Sequence, residues 1–205
     1  IDIEILSAIA ADQGFEYTLE FVGFDAALGG VESRQYDAVI AGMTITDERR
    51  QTFDFSDPYY IETLCVAAPP SGGVASLEDL RGRSVAVRNG VESEGWVQSL
   101  AETYGFDVTV FDDAEAVYRD VEAGNSAACV EFTANMGHAI RTGRATLSII
   151  AESDPSDDYA SPYGFAVARG ENPELLAMFN AGLANIRDNG TYDAIIDKYV
   201  ARQPS

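Results

Sequence analysis

Apolar side chains recur along this chain with two different periods, and the switches between them mark out its elements. At the start, Ile1, Ile5, Ala8 and Ile9, widened by Ile3, Leu6 and Ala10, form the stripe of an amphipathic helix, with Gly14 where a C-cap belongs. Phe15 to Val22 alternates and is rich in β-formers, which predicts a strand. Phe24 to Ser33 reads as a second helix, and Ala38 to Ala41 as a short apolar strand. Helix, strand, helix, strand predicts an α/β layer with a parallel sheet.

The second half repeats the theme. Ile61 to Ala68 reads as a continuous apolar strand that ends at Pro69-Pro70-Ser71-Gly72-Gly73. Ser76 and Asp79 stand near capping-box spacing at the head of a short helix. Ser84 to Arg88 predicts a strand, Asn89-Gly90 a turn, and Glu92 to Tyr104 a helix with Trp96, Val97 and Leu100 on its inner face. Short strands at Val108 to Phe111, Ala127 to Val130 and Leu147 to Ile150 alternate with helices near Ala114 to Ala123 and Ala134 to Arg141. Tyr163 to Ala168 is a returning strand. A long helix from Asn172-Pro173 to about Asn189 and a last one over Thr191 to Tyr199 close the chain. This pattern alone fits either a single doubly wound sheet or two lobes.

Charge narrows the range of partners. Thirteen basic residues stand against 34 acidic ones, a net of −21 in 205 residues, so nucleic acid and anionic membrane surfaces are repelled and both are excluded. Lys198 is the only lysine, which fits either a salt-adapted source or codon bias. No apolar run approaches the ~20 residues needed to span a bilayer. No secretory signal peptide is read, so a mature or trimmed chain is expected. Cys65 and Cys129 lie in apolar runs, as a disulfide in an oxidising compartment or as two buried thiols. His138 stands alone, so neither a metal site nor a cofactor is expected.

The chemistry concentrates in Tyr36 to Tyr60. Its strand breaks at Gly42, where a backbone without a Cβ can approach a ligand closely. Thr44 and Thr46 follow, and Thr46-Asp47-Glu48 can cap a helical turn carrying Arg49 and Arg50. Hydroxyl, free N–H groups and guanidinium within one turn make a cradle for a small carboxylate. Arg49 is the expected clamp, with Thr44 and main-chain groups around Gly42, Met43 and Thr44 in support. Arg50, about 100° further round, is expected in solvent.

Ala-Gly-Met-Thr-Ile-Thr-Asp-Glu-Arg-Arg followed by Phe-Asp-Phe-Ser-Asp-Pro-Tyr-Tyr closely resembles the signature of the type II periplasmic solute-binding proteins that feed polar amino acids to ABC transporters. Ionotropic glutamate receptor ligand-binding domains carry a looser version. Asn189-Gly190-Thr191-Tyr192-Asp193-Ala194-Ile195 resembles the family's C-terminal motif. The resemblance implies an α/β fold of two lobes, each a mainly parallel sheet flanked by helices. Residues 1–64 plus 167–205 would form lobe one and residues 65–166 lobe two, joined by hinge strands Leu64 to Ala68 and Tyr163 to Ala168. It also implies a ligand in the cleft between lobes, a permease as partner, a monomer, and a periplasmic or extracellular place, with a lipid anchor as an option. The family's first strand, a ligand-contacting loop and a second strand precede the opening helix, about 25 residues by comparison.

The same resemblance places Phe24 where an aromatic ring packs on the ligand, the alternative being a core aromatic. In lobe two, Arg88 and the turn before Ser93 match a hydroxyl-bearing turn that holds the α-carboxylate, with Glu92 at the threonine position. A carboxylate there would repel a bound carboxylate, so Glu92 is expected outward, favouring the helix dipole, and Ser93 takes the hydroxyl role. Phe132 falls where the family carries an ammonium-pairing Asp. Either Glu131 takes over from one residue earlier, or Phe132 offers its π-face to a cation. These departures point to a cationic ligand or a compatible-solute-like zwitterion. A sensor module of a receptor fits the same fold, as does a dehydratase of the cyclohexadienyl or arogenate type using Glu131 or Glu92 as general acid. No nucleophile–base pair accompanies those carboxylates, so the expected role is binding without catalysis.

Overall fold

The computed structural model of the chain describes residues 1–89 and 91–199, the side chains of residues 91 and 92 excepted. In chain order the elements are α1 (Asp2–Gln13), α2 (Phe24–Glu32), β1 (Phe53–Phe55), β2 (Tyr60–Glu62), β3 (Leu64–Ala68), β4 (Ser84–Arg88), α3 (Val91–Tyr104), β5 (Asp107–Phe111), α4 (Ala114–Glu122), β6 (Ala128–Phe132), α5 (Thr133–Arg141), β7 (Ser148–Glu152), β8 (Ser161–Tyr163), β9 (Ala166–Ala168), α6 (Pro173–Asp188) and α7 (Thr191–Ile196). They divide into two compact units. The first holds Ile1–Ile61 and Ser161–Lys198, and the second holds Glu62–Ala160 with Tyr199.

The first unit is built on α1 against α6. Ile5 and Ile9 are fully buried on the stripe expected from the sequence, and Gly14, in the left-handed region at φ 72°, ends α1 by donating its N–H to the Ala10 carbonyl. Gly182 on α6 lets the helices approach closely, because a Cβ there would lie 2.8 Å from Ile9 Cγ2. Phe179 stacks on Phe165 with ring centroids 4.4 Å apart and meets the buried Tyr59 edge-on. β1 pairs antiparallel with β9, from Phe53 opposite Ala168 to Phe55 opposite Ala166.

Two expected strands in this unit do not form. Ala38 to Ala41 contributes only an isolated antiparallel bridge, Val39 to Ala166. Phe15 to Val22 is not a strand at all. A strand exists by its ladder, and within the described residues none of the backbone groups of residues 16–22 takes a hydrogen bond. The alternation that predicted it therefore leaves apolar side chains in solvent, with Phe21 84% exposed.

The second unit carries a five-stranded sheet in the order β5-β4-β6-β3-β7. β4 runs parallel to β5 and β6, whereas β3 runs antiparallel to β6 and β7. Parallel pairing is thus half of this sheet rather than most of it, and the pairs of known register in the first unit are antiparallel. Period-two alternation sorts the sheet's side chains. Val85, Val87, Val130, Leu64 and Val66 face Trp96 and Val97 of α3. Ala86, Cys65, Ala67 and Cys129 face Val117 and Val121 of α4 and Met136 of α5. Both cysteines are free, and burial pushes both thiols up, away from the reactive thiolate. Before β4, Ser76 and Asp79 close the capping box that their spacing suggested.

Candidate functional site

In the first unit, a short 3-10 turn over Arg49–Gln51 positions the guanidinium. Thr46 starts that turn as expected, taking the Arg49 N–H on its hydroxyl at 3.2 Å and the Arg50 N–H on its carbonyl at 2.9 Å. Arg49 Nη1 then reaches back to the Thr44 carbonyl at 2.9 Å, and its guanidinium carbon lies 5.5 Å from the centre of the Phe24 ring. A guanidinium carries five N–H donors. Thr44 takes one, and no carboxylate of the described residues comes within ion-pairing distance, in a chain with 34 of them. Arg49 is half-buried and Arg50 exposed, the latter lying beside Phe55.

Gly42 has φ 57°, and a Cβ there would press at 3.4 Å on the Tyr163 ring. Its N–H donates to the hydroxyl of Tyr59 at 3.1 Å. Sequence reading missed Tyr59, a buried phenol raised in pKa by desolvation, which pins the loop from below. Thr44 bridges to Tyr163, and half-exposed Phe24 begins α2. At Met43, expected to serve through its main chain, the side chain lies in the core. Its side chain is fully buried with Val31, Val39, Phe53 and Ala166, so what it contributes is core packing, while its carbonyl accepts the Gly164 N–H.

In the second unit, Arg88 ends β4 with a side chain 40% exposed, and its Nη2 lies 4.0 Å from Glu131 Oε1. Ser93 is buried and directs its hydroxyl to the Arg88 carbonyl at 3.4 Å. Glu92 falls where the side chain lies outside the described residues. Glu131 has its place on β6 on the face of Cys129, opposite half-buried Phe132. Its carboxylate is buried, accepts the Phe132 N–H at 2.8 Å and meets the Tyr118 hydroxyl at 3.5 Å. Arg88 and Tyr118 are therefore its neighbours among the described residues.

A second missed residue sits nearby. Glu62, the first residue of this unit, is 4% exposed, and its Oε1 accepts the Ala134 N–H at 3.0 Å. Beside it the Thr133 N–H donates to the Thr63 carbonyl at 2.9 Å, and the Thr63 and Thr133 hydroxyls bond each other at 2.9 Å. Desolvation pushes the Glu62 pKa up to about 7; the Ala134 N–H opposes the rise and the charge of Glu131 adds to it. The N-cap of α5 is Phe132, which offers no side-chain acceptor, so Glu62 supplies from β2 the cap that the helix lacks locally. The available signal was a lone acid inside an otherwise apolar run.

The two-unit α/β fold is shared with substrate-binding domains of known structure. The second substrate-binding domain of a putative amino acid ABC transporter from Streptococcus pneumoniae superposes with a TM-score of 0.90 at 38% identity, over 97% of this chain and 88% of that one. The chain belongs to the bacterial extracellular solute-binding proteins, family 3, whose model matches residues 1–202. It is 28% identical to the arginine-binding extracellular protein ArtP of Bacillus subtilis, over 97% of this chain and 76% of that one. It is 30% identical to the lysine/arginine/ornithine-binding periplasmic protein of Escherichia coli, over 86% and 69% respectively. These relatives are binding proteins. No helix among the described residues is long and apolar enough to cross a membrane.

Proposed function

We propose that the chain captures a free amino acid outside the cytoplasm and presents it to the membrane permease of an ABC transporter. The observation that carries this reading is Arg49, a guanidinium held against Phe24 and the Thr44 carbonyl, with its remaining donors unmatched by any carboxylate of the described residues. A planar fork of that kind grips an α-carboxylate by two parallel hydrogen bonds. The relatives bind arginine, lysine and ornithine, amino acids that carry both an α-carboxylate and a cationic nitrogen, and the same class is assigned here.

A thermal-shift and calorimetric panel of L-arginine, L-lysine, L-ornithine, L-histidine and L-glutamine tests the reading. A ligand present at a hundred times its Kd adds about 3 kcal/mol to the stability of the native state, which moves the midpoint by several degrees. At least one member of the panel should do so. No shift with any of them, alongside a shift with a solute lacking a carboxylate, would remove amino-acid capture from consideration.

A further inference from the structure

We propose that Tyr59 is a positioning residue for amino-acid binding: its buried hydroxyl holds the Gly42 amide, and through that loop keeps the Arg49 guanidinium aimed. The inference rests on the reading of Arg49 as a carboxylate clamp, and it deepens that reading by assigning what holds the clamp in place.

The loop that carries Thr44 needs a hold from outside itself. Gly42 lies in the left-handed region at φ 57°, and a glycine backbone has more freedom to lose on ordering than any other. Further along, main-chain bonds tie the loop down. The Met43 carbonyl accepts the Gly164 N–H at 3.0 Å, and the Ile45 N–H donates to the Pro162 carbonyl at 2.8 Å. At Gly42 the tie comes from a side chain, the Tyr59 hydroxyl, which accepts its N–H at 3.1 Å. Two residues on, the Thr44 carbonyl accepts from Arg49 Nη1 at 2.9 Å, so the direction of the guanidinium follows the path of the loop. A binding group keeps its affinity only when held within about 0.5 Å of its working position.

Tyr59 is itself firmly moored. It is fully buried, and its ring meets Phe179 edge-on with centroids 6.2 Å apart. Its N–H donates to the Tyr163 carbonyl at 2.9 Å, and its carbonyl accepts the Tyr192 hydroxyl of α7 at 2.8 Å. From α6, Asn180 Oδ1 accepts the Asp57 N–H at 2.9 Å, and Arg187 Nη2 donates to the Pro58 carbonyl at 2.8 Å. Residues 57–59 are thus fixed to both C-terminal helices, and the phenol carries that rigidity to Gly42. Packing alone does not account for the hydroxyl, since a buried hydroxyl is costly unless it is hydrogen-bonded. Burial first, and then the charge of Asp2, raise its pKa, so it meets the amide as a neutral hydroxyl.

The test uses Tyr59→Phe, which removes the hydroxyl and keeps the ring. Calorimetry with the amino acids of the panel is run on this variant, on the unsubstituted protein and on Ser126→Ala. The last removes a buried hydroxyl from the second unit and serves as the control. The expected result is a loss of about three- to tenfold in affinity for Tyr59→Phe, as the fraction of protein with an ordered loop falls. Ser126→Ala should bind as the unsubstituted protein does. A second readout follows the Gly42 amide by NMR in protein isotope-labelled on glycine. Its hydrogen exchange should be about tenfold faster in Tyr59→Phe, with Gly182 unchanged. Ligand should slow the same exchange in the unsubstituted protein.

Unchanged affinity in Tyr59→Phe overturns the inference and leaves the Arg49 clamp standing, whatever stability is lost. An equal loss in Ser126→Ala also overturns it, since the effect would then follow from any buried hydroxyl. Should Tyr59→Phe fail to fold, the labelled unsubstituted protein decides, and Gly42 exchange indifferent to ligand overturns the inference. If the unsubstituted protein binds no amino acid of the panel, the functional reading falls and the inference falls with it.

Discussion

Replacing Arg49 with alanine should weaken amino-acid binding on the order of a hundredfold while leaving the fold intact. A carboxylate held by a guanidinium makes charged hydrogen bonds, each contributing about 1.5 to 3 kcal/mol. The loss of two such bonds sets a floor near two orders of magnitude. The structural cost is small by comparison. Arg49 is half-buried, donates one hydrogen bond to the Thr44 carbonyl and lies against the exposed edge of Phe24, so unfolding stability should fall by less than about 1 kcal/mol. Arg49→Lys separates charge from shape. Lysine retains the cation but lacks the planar fork, and should recover only part of the affinity. Arg50→Ala, one residue on and exposed, serves as the control with unchanged binding. Calorimetry and urea unfolding on the same samples check the set, and an Arg49→Ala protein that binds like the original would sink the clamp.

The second large effect is on stability and runs with pH. Glu62 has its pKa raised from 4.5 to about 7 by burial. In that window the native state holds a proton that the unfolded chain has released. Its contribution to stability is therefore fully present below about pH 4.5 and is lost as pH rises through 7. The size follows from 1.36 kcal/mol per pKa unit, about 3 kcal/mol at most for a shift of this extent. Glutamine at this position has no proton to lose. Glu62→Gln should thus match the unsubstituted protein near pH 5 and exceed it by about 2 to 3 kcal/mol at pH 8 in urea unfolding without ligand. Only the difference between the two proteins is read, so the many other carboxylates cancel. An identical pH slope in both proteins would show that Glu62 does not titrate in this range.

What the sequence made legible follows the range of the interactions involved. The turn carrying Arg49 was readable because Thr46 and Arg49 are three residues apart and the cap bond between them is local. The capping box of Ser76 and Asp79 was readable for the same reason. The sheet of the second unit announced itself through strands of five residues whose apolar positions alternate, and Ser84–Arg88 falls on the residues expected. Glu62 was not legible, because the run from Ile61 to Ala68 reads as apolar and the helix it caps begins 71 residues later, at Thr133. Only the pairing of β3 with β6, Leu64 opposite Phe132, brings the two together. The surroundings of Glu131 were hidden for a related reason. Proximity in sequence to position 132 says nothing about which face of β6 a side chain takes, and the faces alternate. Met43 was drawn into the site by its neighbours on either side, while its own side chain turns into the core.

The bare stretch from Glu16 to Val22 bears on how the protein keeps in solution. Tyr17, Leu19 and Phe21 of this stretch are exposed, apolar surface through which copies of the chain can associate. What holds such encounters off is repulsion, from Glu16 and Glu20 within the stretch and from the net −21 around it. At 1 M salt that repulsion reaches only about 3 Å, whereas apolar attraction is undiminished. The acidic exterior thus acts as a dispersant whose reach is set by the surrounding brine, and concentrated stocks stay clear longest where ions are scarce.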